Sequence, residues 1–289
     1  MTKIKQPLRY HGGKNLLAPW LHFQAPPSVH EDPINGYTHR NYPFAGGLAE
    51  FWNWEPVDGI SEAVNDINKE LSNFWFAIRS AEYFPKLQQL LEGTPFSEEE
   101  WKNAVNILPA LGYRDRDRIQ AAWCFFVKFR QSRQGLGKSY ATPTSRTRRG
   151  MNENVSAWIS AVDGLPECHK RLRRVEIRCL DFREFIPTYD HKGALFYCDP
   201  TYLHKDMDET QIRSALDCYS YEMSLQDHID LLELLSTIEG RFMLSGYQSK
   251  LYDWYAKEND WEVQAKRVSL SSSSKKTKEQ KTEICWRNY

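Results

Sequence analysis

The sequence has no excess of charge and no apolar run long enough for a membrane span. Lys plus Arg number 38, as do Asp plus Glu, so a uniformly basic nucleic-acid coat is excluded, although a local basic patch is not. No apolar run approaches the roughly 18 residues that a span needs. Residues 1–7 (MTKIKQP) lack the apolar stretch of a signal peptide. We therefore expect a cytoplasmic protein with no membrane partner.

Paired cysteine motifs are also missing. No two cysteines stand in a C-x-x-C spacing, which disfavours a structural zinc site, and their scatter disfavours a disulfide framework. We expect reduced thiols and no bound metal. The six cysteines are Cys124, Cys168, Cys179, Cys198, Cys218 and Cys285.

Two common nucleotide-binding motifs are absent as well. A dinucleotide fingerprint needs G-x-G-x-x-G after the first strand, and the glycines here do not fit it. Residues 137–139 (GKS) end like a phosphate-binding loop, but Ser132 stands where its first glycine belongs. Lys14 fails the same test because Leu8 occupies that place. These absences exclude the usual nucleotide-binding loops.

The 289 residues are 41% hydrophobic and 26% charged, enough apolar content for one large domain or two smaller ones. Short apolar runs alternate with helical patterns, which predicts an α/β fold with a doubly wound sheet. The middle of the chain is helical and then rich in Gly, Ser, Thr and Arg, which predicts a loop or hairpin. Strands are expected at 40–44, 59–68, 174–180, 194–198 and 241–245, and helices at 48–54, within 70–131 and at 224–238.

The middle segment is strongly basic. No acidic residue stands between Asp117 and Glu153, and a second basic stretch covers residues 266–281. A solvated basic face is one explanation, but a surface for the phosphate backbone is favoured, because Lys and Arg release condensed counterions there. The first interval holds eight cations: Arg118, Lys128, Arg130, Arg133, Lys138, Arg146, Arg148 and Arg149.

Three features stand where a doubly wound sheet places a ligand, outside the carboxyl ends of its strands. Residues 43–47 (PFAGG) supply a glycine turn. Asp66 follows nineteen residues after Gly47, a spacing at which a carboxylate can accept both hydroxyls of a ribose. Residues 199–202 (DPTY) directly follow the buried strand and offer a carboxylate beside an aromatic ring. Such a site suits a flat polar substrate.

Together with residues 9–14 (RYHGGK), these motifs resemble the Dam-like, D12 class of DNA adenine-N6 methyltransferases. The order is also that of the family: N-terminal motif, glycine turn, acidic strand end, recognition domain and catalytic tetrapeptide. Residues 242–247 (FMLSGY) and 282–286 (TEICW) are similar to its later strands. The resemblance covers nearly the whole chain.

The resemblance implies a Rossmann-like class I methyltransferase sheet that binds S-adenosylmethionine, with an inserted, mainly helical target-recognition domain. Residues 1–69 and 166–289 are then the catalytic domain, and 70–165 the DNA-binding insertion. It further implies a monomeric, adenine-specific DNA methyltransferase that acts on double-stranded DNA without a metal. The expected role of such an enzyme is DNA methylation, alone or within a restriction–modification system.

By the same resemblance, a set of residues surrounds the cofactor. Tyr10 and Lys14 line its site, and Asp66 holds the ribose hydroxyls. Asp181 meets the adenine ring of the cofactor, and Asp199 faces both cofactor and target base. Phe44, Ala45 and Gly46 pass beneath the methionine part.

The expected chemistry follows from the substrate, since the exocyclic amine of adenine is a poor nucleophile and is paired inside a duplex. The base is therefore expected to be flipped out. Tyr202 stacks on it, while the carboxylate of Asp199 and the carbonyl of Pro200 accept the two N6 hydrogens. The expected DNA contacts are Arg130, Arg133, Lys138, Arg146, Arg148 and Arg149.

Departures from the family pattern leave alternatives open. Thr201 stands in place of a second proline, Tyr42 in place of an acidic residue, and His11 in place of a proline. Thr201 motivates the alternative of a weakly active or inactive DNA-binding protein on the same scaffold. Cytosine-N4 methylation is another; Asp rather than Ser at position 199 favours adenine. Protein glutamine methylation favours Asn there and leaves the basic insertion unexplained.

Overall fold

The computed structural model describes residues 4–10, 13–142, 144–203, 221–269 and 280–289. His11, Cys218 and most of the second basic stretch lie outside these residues. In chain order the helices and strands are α1 (Ala18–Gln24), β1 (His39–Tyr42), β2 (Ser61–Asn65), α2 (Lys69–Arg79), α3 (Phe84–Glu92), α4 (Glu98–Ile107), α5 (Asp115–Arg130), β3 (Thr147–Arg148), β4 (Met151–Asn152), α6 (Glu153–Val162), α7 (Leu165–Leu172), β5 (Val175–Arg178), α8 (Phe182–Tyr189), β6 (Ala194–Cys198), α9 (Leu225–Leu235), β7 (Arg241–Tyr247), α10 (Lys250–Glu258), β8 (Glu262–Ser269) and β9 (Gln280–Arg287).

The chain forms two compact units. The first contains Met1–Pro19, Gly46–Val57 and Asp66–Cys179, and the second contains Trp20–Ala45, Asp58–Asn65 and Leu180–Tyr289. All of the predicted insertion, residues 70–165, lies in the first unit. The predicted domain boundaries and the target-recognition role of the insertion stay predictions.

The second unit is built on a mostly parallel sheet. Six of its strands stand in the order β2-β1-β6-β7-β9-β8. The first four are mutually parallel, and β9 runs antiparallel to both β7 and β8. The predicted mixed α/β class with a mostly parallel sheet is therefore confirmed. Because parallel strands end at the same edge, the residues directly after β1 and β6 emerge together there.

Strand β6 forms the centre of this sheet. All five of its residues are buried, as expected of a continuous apolar run covered on both faces. On one face, Phe196 and Cys198 join an apolar core with Phe185 and Leu231, which lie on α8 and α9. On the other face, the ring of Tyr197 lies 6.0 Å from that of Tyr42. Because successive side chains of a strand point to opposite faces, Tyr197 lies on one side of the sheet and Phe196 and Cys198 lie in the apolar core on the other.

The first unit is mainly helical, as the sequence predicts for residues 70–131. Short polar side chains begin its helices by accepting the free backbone N–H groups of the first turn. Asn68 caps α2, Ser97 caps α4 and Asn152 caps α6. The rings of Phe74 on α2 and Phe126 on α5 stack at 5.6 Å, so aromatic packing joins these helices.

The helix predicted for residues 48–54 is not formed; a short 3-10 helix, Phe51–Asn53, stands there instead. A backbone angle and a hydrogen bond explain the difference. Leu48 has a φ of +54°, which is incompatible with an α-helix. The side chain of Asn53 donates to the carbonyl of Ala49 at 2.7 Å and so competes with the helical backbone bond.

The basic loop predicted for residues 131–150 ends in a small hairpin. Strands β3 and β4 pair Thr147 with Asn152 and Arg148 with Met151, which leaves a two-residue turn. Arg149 and Gly150 in that turn have φ values of +55° and +74°, the left-handed pair that tight hairpins require. The guanidinium of Arg149 donates to Ser160 Oγ on α6 at 2.8 Å, which ties the turn to that helix.

One buried histidine makes stability depend on pH. His228 on α9 is 1% exposed, and its Nδ1 lies 2.8 Å from the hydroxyl of Tyr252 on α10. Burial lowers the pKa of His228 from 6.5 to about 4, although the negative charge of Asp227 acts to raise it. Between these values the unfolded chain binds a proton at this position and the folded chain does not.

We predict that the free energy of unfolding falls as the pH drops below the unfolded pKa of His228, by roughly 2 kcal/mol at about pH 5 from this group alone. His228→Gln removes the titration and should show a smaller loss over the same range. Urea denaturation of both proteins at about pH 7.5 and about pH 5 measures the difference. Equal losses in the two proteins would contradict the assignment.

Candidate active site

The glycine turn of the first unit is held by two partners. Gly46 has a φ of +48°, and its N–H donates to Asp66 Oδ2 at 2.8 Å. Its carbonyl accepts from the indole N–H of Trp75 at 3.1 Å. A side chain at Gly47 would place its Cβ 2.6 Å from Tyr10 Cβ. Glycine is therefore required at position 46 by the backbone conformation and at position 47 by the close approach of Tyr10.

Asp66 has a structural function that the sequence did not reveal. Besides Gly46, its carboxylate accepts from the N–H of Asn68 at 2.9 Å. Burial raises the pKa of Asp66, and these two backbone hydrogen bonds lower it only in part. A carboxylate has about four lone-pair sites, so the two bonds leave capacity for hydroxyls of a ligand. Asp66 can thus hold the turn and bind a ribose at once.

The N-terminal motif lies against this turn. The ring of Tyr10 comes within 3.8 Å of the position of a Cβ at Gly46 and lies 5.6 Å from the ring of Phe129. Lys14 is 8% exposed, and its carbonyl accepts from Leu17 N–H and Ala18 N–H at 2.8 Å each. The first unit therefore brings Tyr10, Gly46 and Asp66 together, and their contact with a cofactor stays a prediction.

In the second unit, Asn65 joins two loops at the carboxyl edge of the sheet. Its amide nitrogen donates to the carbonyls of Pro43 and Leu180 at 3.0 Å each, and its amide oxygen accepts from Leu180 N–H at 2.8 Å. Its own carbonyl accepts from Ala45 N–H at 2.8 Å. Sequence reasoning assigned no role to Asn65, although a buried amide that ends an apolar strand is a signal.

Phe44 and Asp181 follow these loops. The ring of Phe44 lies 5.5 Å from that of Phe182, at the start of α8. Asp181 caps α8 by accepting from Arg183 N–H at 2.8 Å, and the guanidinium of Arg183 also contacts both of its oxygens at 3.2 Å. Arg183 reaches two carboxylates of α9 as well, which fixes α8 against α9: Asp227 at 2.5 Å and Asp230 at 2.6 Å.

Asp199 follows β6, and two hydroxyls hold its carboxylate. Oδ1 accepts from Ser245 Oγ at 2.8 Å and from the hydroxyl of Tyr202 at 3.2 Å. Ser245 is fully buried on β7, the strand that pairs with β6. The ring of Tyr202 lies edge to face with Tyr247 at 4.6 Å. The orientation of the Asp199 carboxylate is therefore set by neighbouring strands and not only by its own turn.

Glu283 on β9 completes this cluster and was not predicted as a site residue. It is 3% exposed and accepts from the hydroxyl of Tyr202. Burial, then the negative charges of Asp199 and Glu283, raise the pKa of Tyr202 well above its usual range, so the hydroxyl keeps its proton. A single phenolic hydrogen thus serves two carboxylates. The available signal was a charged residue beside the apolar run 284–286 (ICW).

Thr201, the departure from the family tetrapeptide, has a partner of its own. Its Oγ1 accepts from Met223 N–H at 3.0 Å, directly before Ser224, which begins α9 through a capping box. A proline at this position has no hydroxyl to offer. Thr201 therefore connects the segment after β6 to the start of α9.

The basic residues of the first unit separate into two groups. Arg130 is half-buried and donates to the carbonyl of Ala157. The other predicted DNA contacts are exposed and can reach a large ligand: Arg133, Lys138, Arg146, Arg148 and Arg149.

Three further observations concern the described part of the chain. No helix there is long and apolar enough to cross a membrane. Within the same ranges, no group of three or more His, Cys, Asp or Glu side chains could hold a metal ion. The five cysteines among the described residues, which exclude Cys218, carry free thiols.

Residues 140–269 match the D12 class N6 adenine-specific DNA methyltransferase family. The match contains Asp181, residues 199–202 and the β3–β4 hairpin, and it confirms the predicted resemblance over less than half of the chain. This family implies a DNA methyltransferase activity, S-adenosylmethionine as donor and DNA as substrate. No curated protein matches the chain.

We predict that Glu283 acts through Tyr202. Glu283→Gln keeps the size of the side chain but removes the charge that fixes the hydroxyl, so kcat for methyl transfer should fall about 10- to 100-fold, as small misplacements at reacting centres do. In a Tyr202→Phe background the same change should have little further effect, because the shared hydrogen bond is already gone. Single-turnover methylation of the four proteins tests this; additive losses would contradict it.

We predict that the Thr201 hydroxyl contributes to stability. Thr201→Val keeps the shape but leaves Met223 N–H without this acceptor, so the free energy of unfolding should fall by about 1 kcal/mol. Thr201→Ser is the matched control and should stay close to the parent protein. Chemical denaturation compares the three, and equal stabilities of the Val and Ser variants would show that the hydrogen bond contributes nothing.

Proposed function

We propose that this chain is a site-specific DNA methyltransferase that transfers a methyl group from S-adenosylmethionine to the N6 amine of an adenine flipped out of duplex DNA. The family match over residues 140–269 supports DNA methylation. The observation that carries the choice of an amine substrate is the Asp199 carboxylate, fixed by Ser245 and Tyr202 at the end of a central strand.

Asp199 and Pro200 act on the amine by accepting its hydrogens. One N6 hydrogen is donated to the Asp199 carboxylate and the other to the carbonyl of Pro200. These bonds draw the nitrogen towards tetrahedral geometry and localise its lone pair. With the cofactor bound, this lone pair would form the carbon–nitrogen bond as the carbon–sulfur bond breaks to leave a neutral thioether, and N6 would lose one proton to the Asp199 carboxylate or to water. Because the carboxylate is already oriented by two hydroxyls, little reorganisation is needed when the base arrives. Alignment of this kind can supply about 7–11 kcal/mol of the barrier.

Tyr202 holds the flipped base. Extrusion from the duplex costs a few kcal/mol, and stacking on an aromatic ring returns roughly 1–3 kcal/mol per base. The hydroxyl of Tyr202 is bound by Asp199 and Glu283, and its ring leans on Tyr247, so the stacking face has a fixed direction. The same residue therefore orients both the base and the carboxylate.

The residues of each unit fit S-adenosylmethionine. In the first unit, Gly47 has no room for a side chain beside Tyr10, and Asp66 retains acceptor capacity for a ribose. In the second unit, Asn65 fixes the loops that carry the expected contacts. When bound, the cofactor supplies a methyl group already activated by its sulfonium, so no metal is required. The proposed contacts, which the family resemblance implies, are Tyr10, Lys14, Phe44, Ala45, Gly46, Asp66, Asp181 and Asp199.

Six cations of the first unit provide the affinity for DNA; five of them are exposed and Arg130 is half-buried. Phosphate contacts release counterions and position the duplex without reading its sequence. The β3–β4 hairpin is suited to this task because its turn is tied to α6 through Arg149 and Ser160. The proposed contacts are Arg130, Arg133, Lys138, Arg146, Arg148 and Arg149.

We predict that incubation with labelled S-adenosylmethionine and unmethylated duplex DNA yields N6-methyladenine. Asp199→Asn should lower the rate by at least about 100-fold while DNA affinity largely survives, because the change removes an interaction made in the transition state. Asp260→Asn, the same substitution at an exposed position of the second unit, is the control and should leave the rate unchanged. Nucleoside analysis and a DNA-binding titration provide the two readouts.

The product distinguishes the alternatives. Formation of N4-methylcytosine would show that the target base is cytosine and not adenine. DNA binding without any labelled base would favour an inactive scaffold, and a joint loss of binding and methylation in Asp199→Asn would mean that Asp199 has a different role.

A further inference from the structure

Two adjoining clefts open on the first unit; Tyr10 and Gly13 of the N-terminal motif line the larger one and do not line the smaller one. The larger has a volume of about 610 Å³ and the smaller of about 190 Å³. Both are lined by Lys5, Gln6, Arg9 and Arg130. The N-terminal segment 5–9 and the end of α5 thus form a shared wall.

The smaller cleft is positively charged. Lys5, Arg9, Arg130 and Arg148 line it, and no acidic side chain is among the described residues of its wall. The remaining wall is small or neutral and comes mainly from α6 and the residue before α7: Gln6, Pro7, Ala157, Ser160, Ala161 and Gly164. Four cations therefore face one small space whose other surfaces do not neutralise them.

The hydrogen bonding and the pKa of Arg130 show the effect of placing these cations together. Its Nη2 donates to the carbonyl of Ala157, while its Nε is buried and has no hydrogen-bond partner within the described ranges. Burial, then the positive charge of Arg9, lower the pKa of Arg130 to about 9. A cation beside a cation is unfavourable, and an anion in the cleft relieves this repulsion.

We propose that the smaller cleft is a phosphate-binding site, in which Lys5, Arg9, Arg130 and Arg148 bind one phosphodiester of the DNA backbone. The proposal rests on the proposed function for the identity of the ligand and adds Lys5 and Arg9, which neither the charge pattern nor the family match assigns to DNA. Arginine suits the task because its planar group donates two parallel hydrogen bonds to phosphate oxygens.

The surroundings of the cleft favour a polyanion over a free phosphate. Arg148 belongs to both the cleft and the exposed β3–β4 hairpin, and Arg146 and Arg149 stand exposed on either side of it. A single phosphate ion can occupy the cleft but leaves these neighbours unused. A DNA strand places one phosphate in the cleft and further phosphates along the hairpin, so that one ligand engages both.

The test uses Lys5→Gln and Arg9→Gln in the full-length chain, since both side chains are exposed enough to be replaced without disturbing the core. Each should weaken duplex DNA binding about tenfold, as expected for a lost charge-assisted contact. The slope of log affinity against log salt should become less steep by up to about 0.9. Lys86→Gln, at an exposed position of α3, is the matched control and should change neither quantity.

A second experiment identifies the phosphate. Neutral methylphosphonate linkages, placed one at a time along the duplex, should reveal a position whose neutralisation weakens binding by the parent chain but not by Arg9→Gln. Non-additivity of that kind connects the side chain to one phosphate. If every position weakens both proteins equally, Arg9 does not contact a phosphate and the proposal is wrong.

The remaining outcomes separate this proposal from the proposed function. If the parent chain methylates DNA and both variants bind it like Lys86→Gln, the cleft is not a DNA site although the function stands. If inorganic phosphate binds the parent chain and not the variants, while DNA affinity is unchanged, the cleft takes a free phosphate and the DNA assignment is overturned. If the parent chain binds no DNA, the proposed function fails first.

Discussion

The carboxyl edge of the sheet depends on the side-chain amide of Asn65. It satisfies backbone groups of Pro43 and Leu180, and the backbone of Asn65 binds Ala45, so the loop after β1 and the segment before α8 are joined at the end of β2. Backbone groups buried at the end of a sheet lack ladder partners and must find others. Without this amide the loops would need water or a rearrangement, and the direction of the residues that follow them would not be fixed.

Shared hydrogen-bond donors hold the carboxylates of the second unit. Asp199 and Glu283 share the hydroxyl of Tyr202, and Asp181, Asp227 and Asp230 share the guanidinium of Arg183. Burying a carboxylate is unfavourable unless donors accompany it. A donor that serves two acceptors also fixes the distance between the elements that carry them. The charge distribution and the geometry of the site are therefore determined by the same few contacts.

The sequence predicted the elements whose signals are local. Strands β6 and β7 coincide with apolar runs, and helix α9 begins at its own capping box. It did not predict Glu283 or Asn65 as site residues, because their partners lie 81 and 115 positions away along the chain. It also could not separate the half-buried Arg130 from its exposed neighbours, since linear charge does not show which face of a helix packs. The prediction of a helix at 48–54 was wrong because the side-chain amide of Asn53 competes with the backbone for the carbonyl of Ala49.

The turn of the β3–β4 hairpin has one further consequence. Arg149 adopts a conformation that glycine or asparagine would adopt with less strain, and the bond to Ser160 keeps it there. Its guanidinium is consequently held in place before any ligand arrives. A side chain already immobilised surrenders little rotational freedom on association, and an arginine otherwise loses much of it. The strain at this one backbone position is therefore offset by the preorganisation of the Arg149 side chain.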